Sequence, residues 1–197
     1  MKPENRPLEP LKFLEELRAL KFLSTEEEQR IKESLTFITF KKGHVIDSRQ
    51  KLLYNRFYIV KGTARIYYLE NEKERNYAFA FDNQFITLPY SIMMKDRDLF
   101  IQFLEDTEVC CIPTIEDRKR YPALSNVKFW QFINIALIHH LSEMEEYVMM
   151  LRMDARERYR WITERHPHIL ETISITQLAS YLNVTKETLY RIRSGKY

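Results

Sequence analysis

The sequence predicts an α+β protein in which a β-rich sandwich or barrel is followed by one long helix and then by a pair of short helices joined by a tight turn. Three observations carry this. Runs of β-branched and aromatic residues recur between turn signals from Thr36 to about Ile112, a helical period runs from Ser125 to about Arg152, and two capped amphipathic helices fit between Ser174 and Lys196. The boundaries implied are 1–122 for the β-rich part with its leading helices, 123–153 for the long helix and 154–197 for the C-terminal helices.

A chain of 197 residues, 45% hydrophobic and 30% charged, can bury one good core and carry a small second domain. It has no apolar run long enough to span a membrane, and Met-Lys-Pro-Glu-Asn-Arg-Pro lacks the apolar stretch of a signal peptide. A soluble, cytoplasmic protein with no membrane partner is expected. Cys110 and Cys111 are adjacent, so in a strand they face opposite ways, as reduced packing residues and not as a thiolate cluster. The net charge of +3 is unevenly placed: residues 1–151 carry 22 Lys/Arg against 23 Asp/Glu, and residues 152–197 carry 9 against 5. The basic end suits a module that neutralises phosphates.

Pro3, Pro7 and Pro10 mark an irregular lead, followed by a helix with the apolar stripe Leu11, Leu14, Leu17, Ala19 and Leu20. Ser24 and Glu27 form the capping box of a second helix, with Ile31 and Leu35 inward, before Thr36-Phe-Ile-Thr-Phe switches the period to strand. Turn signals stand at Lys42-Gly43, Lys61-Gly62, Glu70 to Glu74 and Asp82-Asn83. Glu70, Glu72 and Glu74, alternating with Lys73 and Arg75, read as a solvated hairpin tip.

Ser125 is placed to cap the long helix, roughly 40 Å at 1.5 Å per residue. Along it Leu137, Leu141, Met144, Val148 and Leu151 repeat at spacings of four and three, a seam suited to a two-helix coiled coil. Phe129, Phe132, Ala136, Tyr147 and Met150 form a second stripe. Two stripes imply two partners, the chain's own β-rich part and the same helix of a second subunit; a fully buried helix within a monomer is the alternative. Asp154 then caps a helix running to His166, with Tyr159 and Ile162 inward and Arg156, Arg160 and Arg165 outward, ended by Pro167.

At the C-terminal end, Ser174 and Gln177 open a helix that turns Leu178, Ala179 and Leu182 to one face, and Asn183 tolerates the left-handed conformation that ends it. Thr185 caps a second helix in which Leu189 and Ile192 point back at the first. Lys186, Glu187, Tyr190, Arg191 and Ser194 then face outward. This is a helix-turn-helix pattern; the same spacing also fits a plain helical hairpin with solvated charges.

The run from Leu178 to Arg193 resembles the DNA-binding segment of the Crp/Fnr family of bacterial transcription regulators, including the Thr-x-Glu-Thr-x-x-Arg core that Thr185, Glu187, Thr188 and Arg191 match. Arg56 to Tyr68, two strands around Lys61-Gly62, is similar to part of that family's cyclic-nucleotide-binding β-roll. Lys41 to Ile46 resembles its earlier turn, and Ala155 to Arg160 the opening of its DNA-binding domain. The resemblance runs in order through about residues 20 to 195. It implies a sensor β-roll, a dimerising long helix and a DNA-reading helix-turn-helix, with double-stranded DNA, a second copy of the chain, RNA polymerase and a small-molecule effector as partners. Leu137, Leu141, Met144, Val148 and Leu151 would form the dimer interface.

Lys186, Glu187 and Arg191 match base-reading positions, and their chemistry fits: Lys and Arg donate to guanine O6 and N7, and Glu accepts from cytosine N4. Thr185, Arg193, Ser194 and Lys196 are placed for phosphates. Tyr190 departs from the small residue common at its position, so the target sequence does not transfer. The chain stops at Tyr197, and a full wing after the recognition helix is not expected. In the effector pocket, Thr87, Leu88, Arg97, Asp98 and Leu99 are the candidate residues. Ile86-Thr87 stand where cyclic-AMP-binding members have Gly-Glu, and Asp98-Leu99 where they have Ser-Ala. A carboxylate beside the phosphate opposes binding, so cyclic AMP is expected not to bind and no cofactor is implied. Another effector, or none, is left.

Five histidines raise a metal reading. His139 and His140 are neighbours that do not face one another on a helix, and His166 and His168 lie at a helix end without a third ligand. No phosphate loop, nucleophile elbow or Cys-x-x-Cys occurs, so no enzyme is expected. Two rivals remain: a sensing module whose C-terminal domain contacts protein instead of DNA, and, more remotely, a cupin-like metalloenzyme.

Overall fold

The computed structural model describes residues 11–47, 56–86, 99–112 and 126–196. Two helices lead, α1 (Lys12–Ala19) and α2 (Thr25–Ser34), and eight strands follow: β1 (Thr36–Phe40), β2 (Val45–Asp47), β3 (Arg56–Lys61), β4 (Ala64–Glu70), β5 (Lys73–Ala80), β6 (Phe85–Ile86), β7 (Leu99–Phe103) and β8 (Thr107–Ile112). The long helix is α3 (Asn126–Leu151). After it come α4 (Ala155–Arg165), α5 (Ile169–Thr172), α6 (Ile175–Tyr181) and α7 (Lys186–Arg193).

The strands form two four-stranded antiparallel sheets, ordered β1-β8-β3-β6 and β2-β7-β4-β5. Alternation sorts their side chains. Phe57 and Ile59 of β3 turn between the sheets to meet Ile46, Ile66, Ile101 and Phe103, while Tyr58 between them turns to the other face, against α1. The adjacent cysteines divide as expected: buried Cys110 packs toward α1 and α2, and half-buried Cys111 toward the inter-sheet core.

Turn chemistry closes the roll. Gly62 has φ +118, and a Cβ there would lie 2.5 Å from Thr107 Oγ1, so both the backbone angle and the close approach exclude a side chain. The β4–β5 hairpin turns without glycine, through Asn71 and Glu72 at φ +50 and +63. Its tip is solvated as expected, with residues 71–75 exposed. Glu74 binds the guanidinium of Arg65, which is buried and also donates to Gln102 and Asn76.

The Ser24–Glu27 capping box is present, and Ile31 and Leu35 are buried. In α1 the inward face is Phe13, Leu14 and Leu17. Leu20 is 58% exposed because the helix ends at Ala19 and its cap residue turns outward. His139 of α3 lies 2.7 Å from Glu16, tying the long helix to α1. Ser125 lies outside the described residues, as do the side chains of Phe129, Phe132 and Ala136. Of the second stripe, Met150 is buried and Tyr147 packs beside it. No helix among the described residues is long and apolar enough to cross a membrane.

Candidate nucleic-acid interface

The C-terminal helices are built around Ile162, Ile169, Ile173, Leu178, Ala179, Leu182 and Leu189, with Met150 of α3 in the same cluster. Asp154 and Glu157 make the capping box of α4, which stops at Arg165, one residue before the expected end. Ser174 and Gln177 make that of α6. Asn183 has φ +52, and Thr185 Oγ1 accepts from the Thr188 N–H at 3.1 Å to start α7. These local choices fix the angle at which α7 leaves α6.

Arg158 holds that turn in place. Its Nε donates to the Met153 carbonyl at 2.9 Å, Nη2 to Leu151 at 2.8 Å, and Nη1 to Leu182 at 2.9 Å and Asn183 at 3.3 Å. One planar guanidinium thus satisfies carbonyls at the ends of both α3 and α6, a task suited to a rigid fork of donors. Sequence reasoning placed Arg158 only within a family-like run. Its neighbours Arg156 and Arg160 are exposed, and no local pattern separates Arg158 from them, because its acceptors Leu151 and Leu182 lie 7 and 24 residues away.

With Leu189 fully buried, the opposite face of α7 is exposed: Lys186, Glu187, Tyr190, Arg191 and Arg193 along the helix, Thr185 before it, Ser194 and Lys196 after it. Glu187 is held below the usual carboxylate range by its own backbone N–H and then by the Thr185 hydroxyl at the helix start. It is therefore ionised at neutral pH, an acceptor only. The face presents cationic donors and one acceptor around the first two turns, with small hydroxyls at either end.

The pair is docked on the β-roll. Tyr77 is the extra residue of a bulge in β5: Ile66 faces Ala78, but Tyr67 faces Asn76. The bulge moves Asn76 from the inner face to the outer one, where its amide donates to the Gln177 carbonyl at 3.0 Å. Phe79 meets Tyr181 edge-on, with ring centroids 4.9 Å apart, and Tyr147 of α3 donates to the Tyr181 carbonyl at 3.2 Å.

Comparison with solved structures finds similar folds. FixK2 from Bradyrhizobium japonicum superposes with a TM-score of 0.58 at 21% identity, over 82% of this chain and 83% of that one. A transcriptional regulator of the CRP/FNR family from Thermus thermophilus gives 0.56 at 15%, over 81% and 84%. The fold is that of the Crp/Fnr regulators. A cyclic nucleotide-binding domain containing protein from Listeria monocytogenes shares it too, with a TM-score of 0.58 at 14% identity over 92% of this chain and 88% of that one. No protein-family model matches the sequence, and no curated protein does.

Placed on the Crp/Fnr fold, the remaining candidate residues divide. Thr87, Leu88, Arg97 and Asp98 lie outside the described residues. Leu99 is buried in β7 opposite Tyr68, within the inter-sheet core, and Ile86 is buried in the same cluster. On α3, Leu141 and Val148 are exposed, joined by Ile138 and Met149, which the heptad reading passed over. Leu137 and Leu151 instead pack partly on the chain's own clusters, and half-buried Met144 lines a cleft beside β5.

Proposed function

We propose that the protein is a sequence-specific, DNA-binding transcription regulator that acts as a homodimer. In this reading α6 and α7 are a helix-turn-helix, Lys186, Glu187 and Arg191 read bases, and Thr185, Arg193, Ser194 and Lys196 engage phosphates, with Tyr190 against the sugar-phosphate backbone or a thymine methyl. The observation that carries it is the outer face of α7: a helix anchored by fully buried Leu189 that turns Lys186, Glu187, Tyr190 and Arg191 to solvent together. The exposed apolar side chains Ile138, Leu141, Val148 and Met149 on α3 support a second copy as partner, since four such side chains on one helix are costly to leave in water.

The β-roll then serves as the sensor. Its pocket, around Thr87, Leu88, Arg97, Asp98 and Leu99, departs from the cyclic-AMP pattern, so the signal is another small molecule or none, and RNA polymerase is the machinery acted on. No catalytic role is assigned. The exposed ring of Tyr190, 55% accessible, also suits a protein surface, which keeps a protein-binding C-terminal domain as the second reading.

Selection from a randomised duplex pool tests this. The expected product is an inverted repeat with half-sites about one helical turn, roughly 34 Å, apart. A pool that stays random after several rounds would turn the reading toward a protein partner.

A further inference from the structure

Between β5, α3 and α4 lies a cleft of about 240 Å³, below the roughly 300–1,000 Å³ typical of sites for drug-sized ligands and of a size for a smaller one. Phe81, Tyr147, Trp161 and Tyr181 supply aromatic walls, and Glu143 and Glu146 supply carboxylates. We propose that this cleft is a ligand site that takes a small organic cation, a single ring or compact alkyl group bearing one ammonium.

The charges lining the cleft carry the argument. Among the described lining residues Arg165 is the only Lys or Arg, and it is engaged: its guanidinium lies over the Trp161 ring at 4.5 Å from the centroid and 3.6 Å from Glu146. Among the described residues no cation pairs with Glu143. Burial, and then the charge of Glu146, push its carboxyl up to about 7. The other titratable groups on the walls do not help it. His166 is stacked on Phe81 with centroids 3.6 Å apart and is held down to about 4 by burial and Arg165, so it is neutral; Tyr147 and Tyr181 are raised by burial. His140 and Tyr77 complete the titratable set.

A half-buried carboxylate facing aromatic rings is an incomplete pair. An anionic ligand would meet two carboxylates, and a neutral one would leave Glu143 either charged and unpaired or obliged to keep its proton. An ammonium supplies the missing charge, while the ring faces, negative at their centres, attract it further. The walls come from the β-roll (Phe81), the long helix (Glu143, Tyr147) and the C-terminal helices (Trp161, Tyr181), so an occupant would brace their mutual position. Binding at this site is independent of whether α7 reads DNA.

Calorimetry on the full chain tests it, with 2-phenylethylamine, cyclohexylamine and benzyltrimethylammonium as cations and 2-phenylethanol as the neutral control. At least one cation is expected to bind saturably, about ten-fold tighter at pH 8 than at pH 6, because Glu143 passes from mostly protonated to mostly ionised through about pH 7, and to release a proton to buffer below pH 7. Glu143→Gln, checked for folding by circular dichroism, should abolish the pH dependence and weaken binding; Trp161→Leu should weaken it at both pH values. The proposal is overturned if none of the three cations saturates below about 10 mM, a level at which no millimolar site would be missed. It is equally overturned if 2-phenylethanol binds as tightly as the cations, or if Glu143→Gln keeps the pH dependence.

Discussion

The side-chain amide of Asn76 donates to the main-chain carbonyl of Gln177 across 3.0 Å, and so hangs the first of the two C-terminal helices directly from the β-roll. Asn76 is itself held by Arg65, which donates to its Oδ1 at 3.0 Å while binding Glu74 and Gln102. A chain of polar contacts therefore runs across the outer face of the β2-β7-β4-β5 sheet to the helix that sets the direction of α7. Replacing Asn76 with Ala removes one link, worth about 1 kcal/mol net. The expected result is faster amide exchange over residues 174–182 with the β-roll strands unchanged; equal exchange in both forms would show that the apolar contact of Phe79 with Tyr181 suffices.

Arg158 makes four donor contacts to carbonyls at the ends of α3 and α6. Removing it leaves those carbonyls to compete for water in a half-buried place. Arg158→Ala is expected to lower the urea stability of the protein by roughly 2–4 kcal/mol, and Arg158→Lys to recover only part of that, because an ammonium cannot fork between two helix ends. Full recovery by lysine would assign the residue a purely electrostatic role.

Two groups on the cleft walls give opposing pH effects. Glu143, raised to about 7, keeps its proton in the folded state, so its contribution is fully present below about pH 4.5 and is lost as pH rises to 7. His166, lowered to about 4, stays neutral when folded, so stability is lost as pH falls from about 6.5 to 4. Between about pH 4.5 and 6.5 the two slopes cancel, each being at most about 1.4 kcal/mol per pH unit. Glu143→Gln should unmask the histidine and make stability fall across that window on acidification. Urea unfolding at three pH values measures it, and a flat profile in the variant would contradict the assignment.

How much of this was legible beforehand can be judged at individual residues. The capping boxes at Ser24, Asp154 and Ser174, the left-handed Asn183 and the cap at Thr185 were readable because each depends on atoms within three residues of itself. Gly62 was readable from its local turn, although its close approach to Thr107, far along the chain, was not. Arg65 and Asn76 were not. Strand alternation would turn Asn76 inward, and only the bulge at Tyr77, a property of the pairing with β4, turns it out. Arg158 and Glu143 escaped because their partners, or lack of them, come from elements far apart in the chain. On α3 the heptad marked Leu141 and Val148, but Leu137 and Leu151 are partly drawn onto the chain's own clusters, and Ile138 and Met149 share the exposed surface.

The exposed side chains of α3 bear on assembly. Leu141→Glu and Val148→Glu add charge at positions that are already 61% and 50% exposed in one chain, so neither should unfold it. In a dimer the same charges are buried without partners, at a cost of several kcal/mol. Sedimentation is expected to show a dimer for the wild type and a monomer for either variant. A monomeric wild type would remove the paired half-sites from the account.

Whether α7 reads duplex DNA is tested most directly by a salt-titrated binding measurement. Affinity for the selected duplex should fall steeply with salt, linearly on logarithmic axes, as phosphate contacts release counterions. Lys186→Ala and Arg191→Ala should each cost about 1–3 kcal/mol and relax preference at one position of the half-site, whereas Lys196→Ala should weaken all sequences alike and reduce the salt slope by about 1. Wild-type protein that binds no duplex at low salt, or binds with an affinity indifferent to salt and to Lys186 and Arg191, would contradict DNA reading by α7.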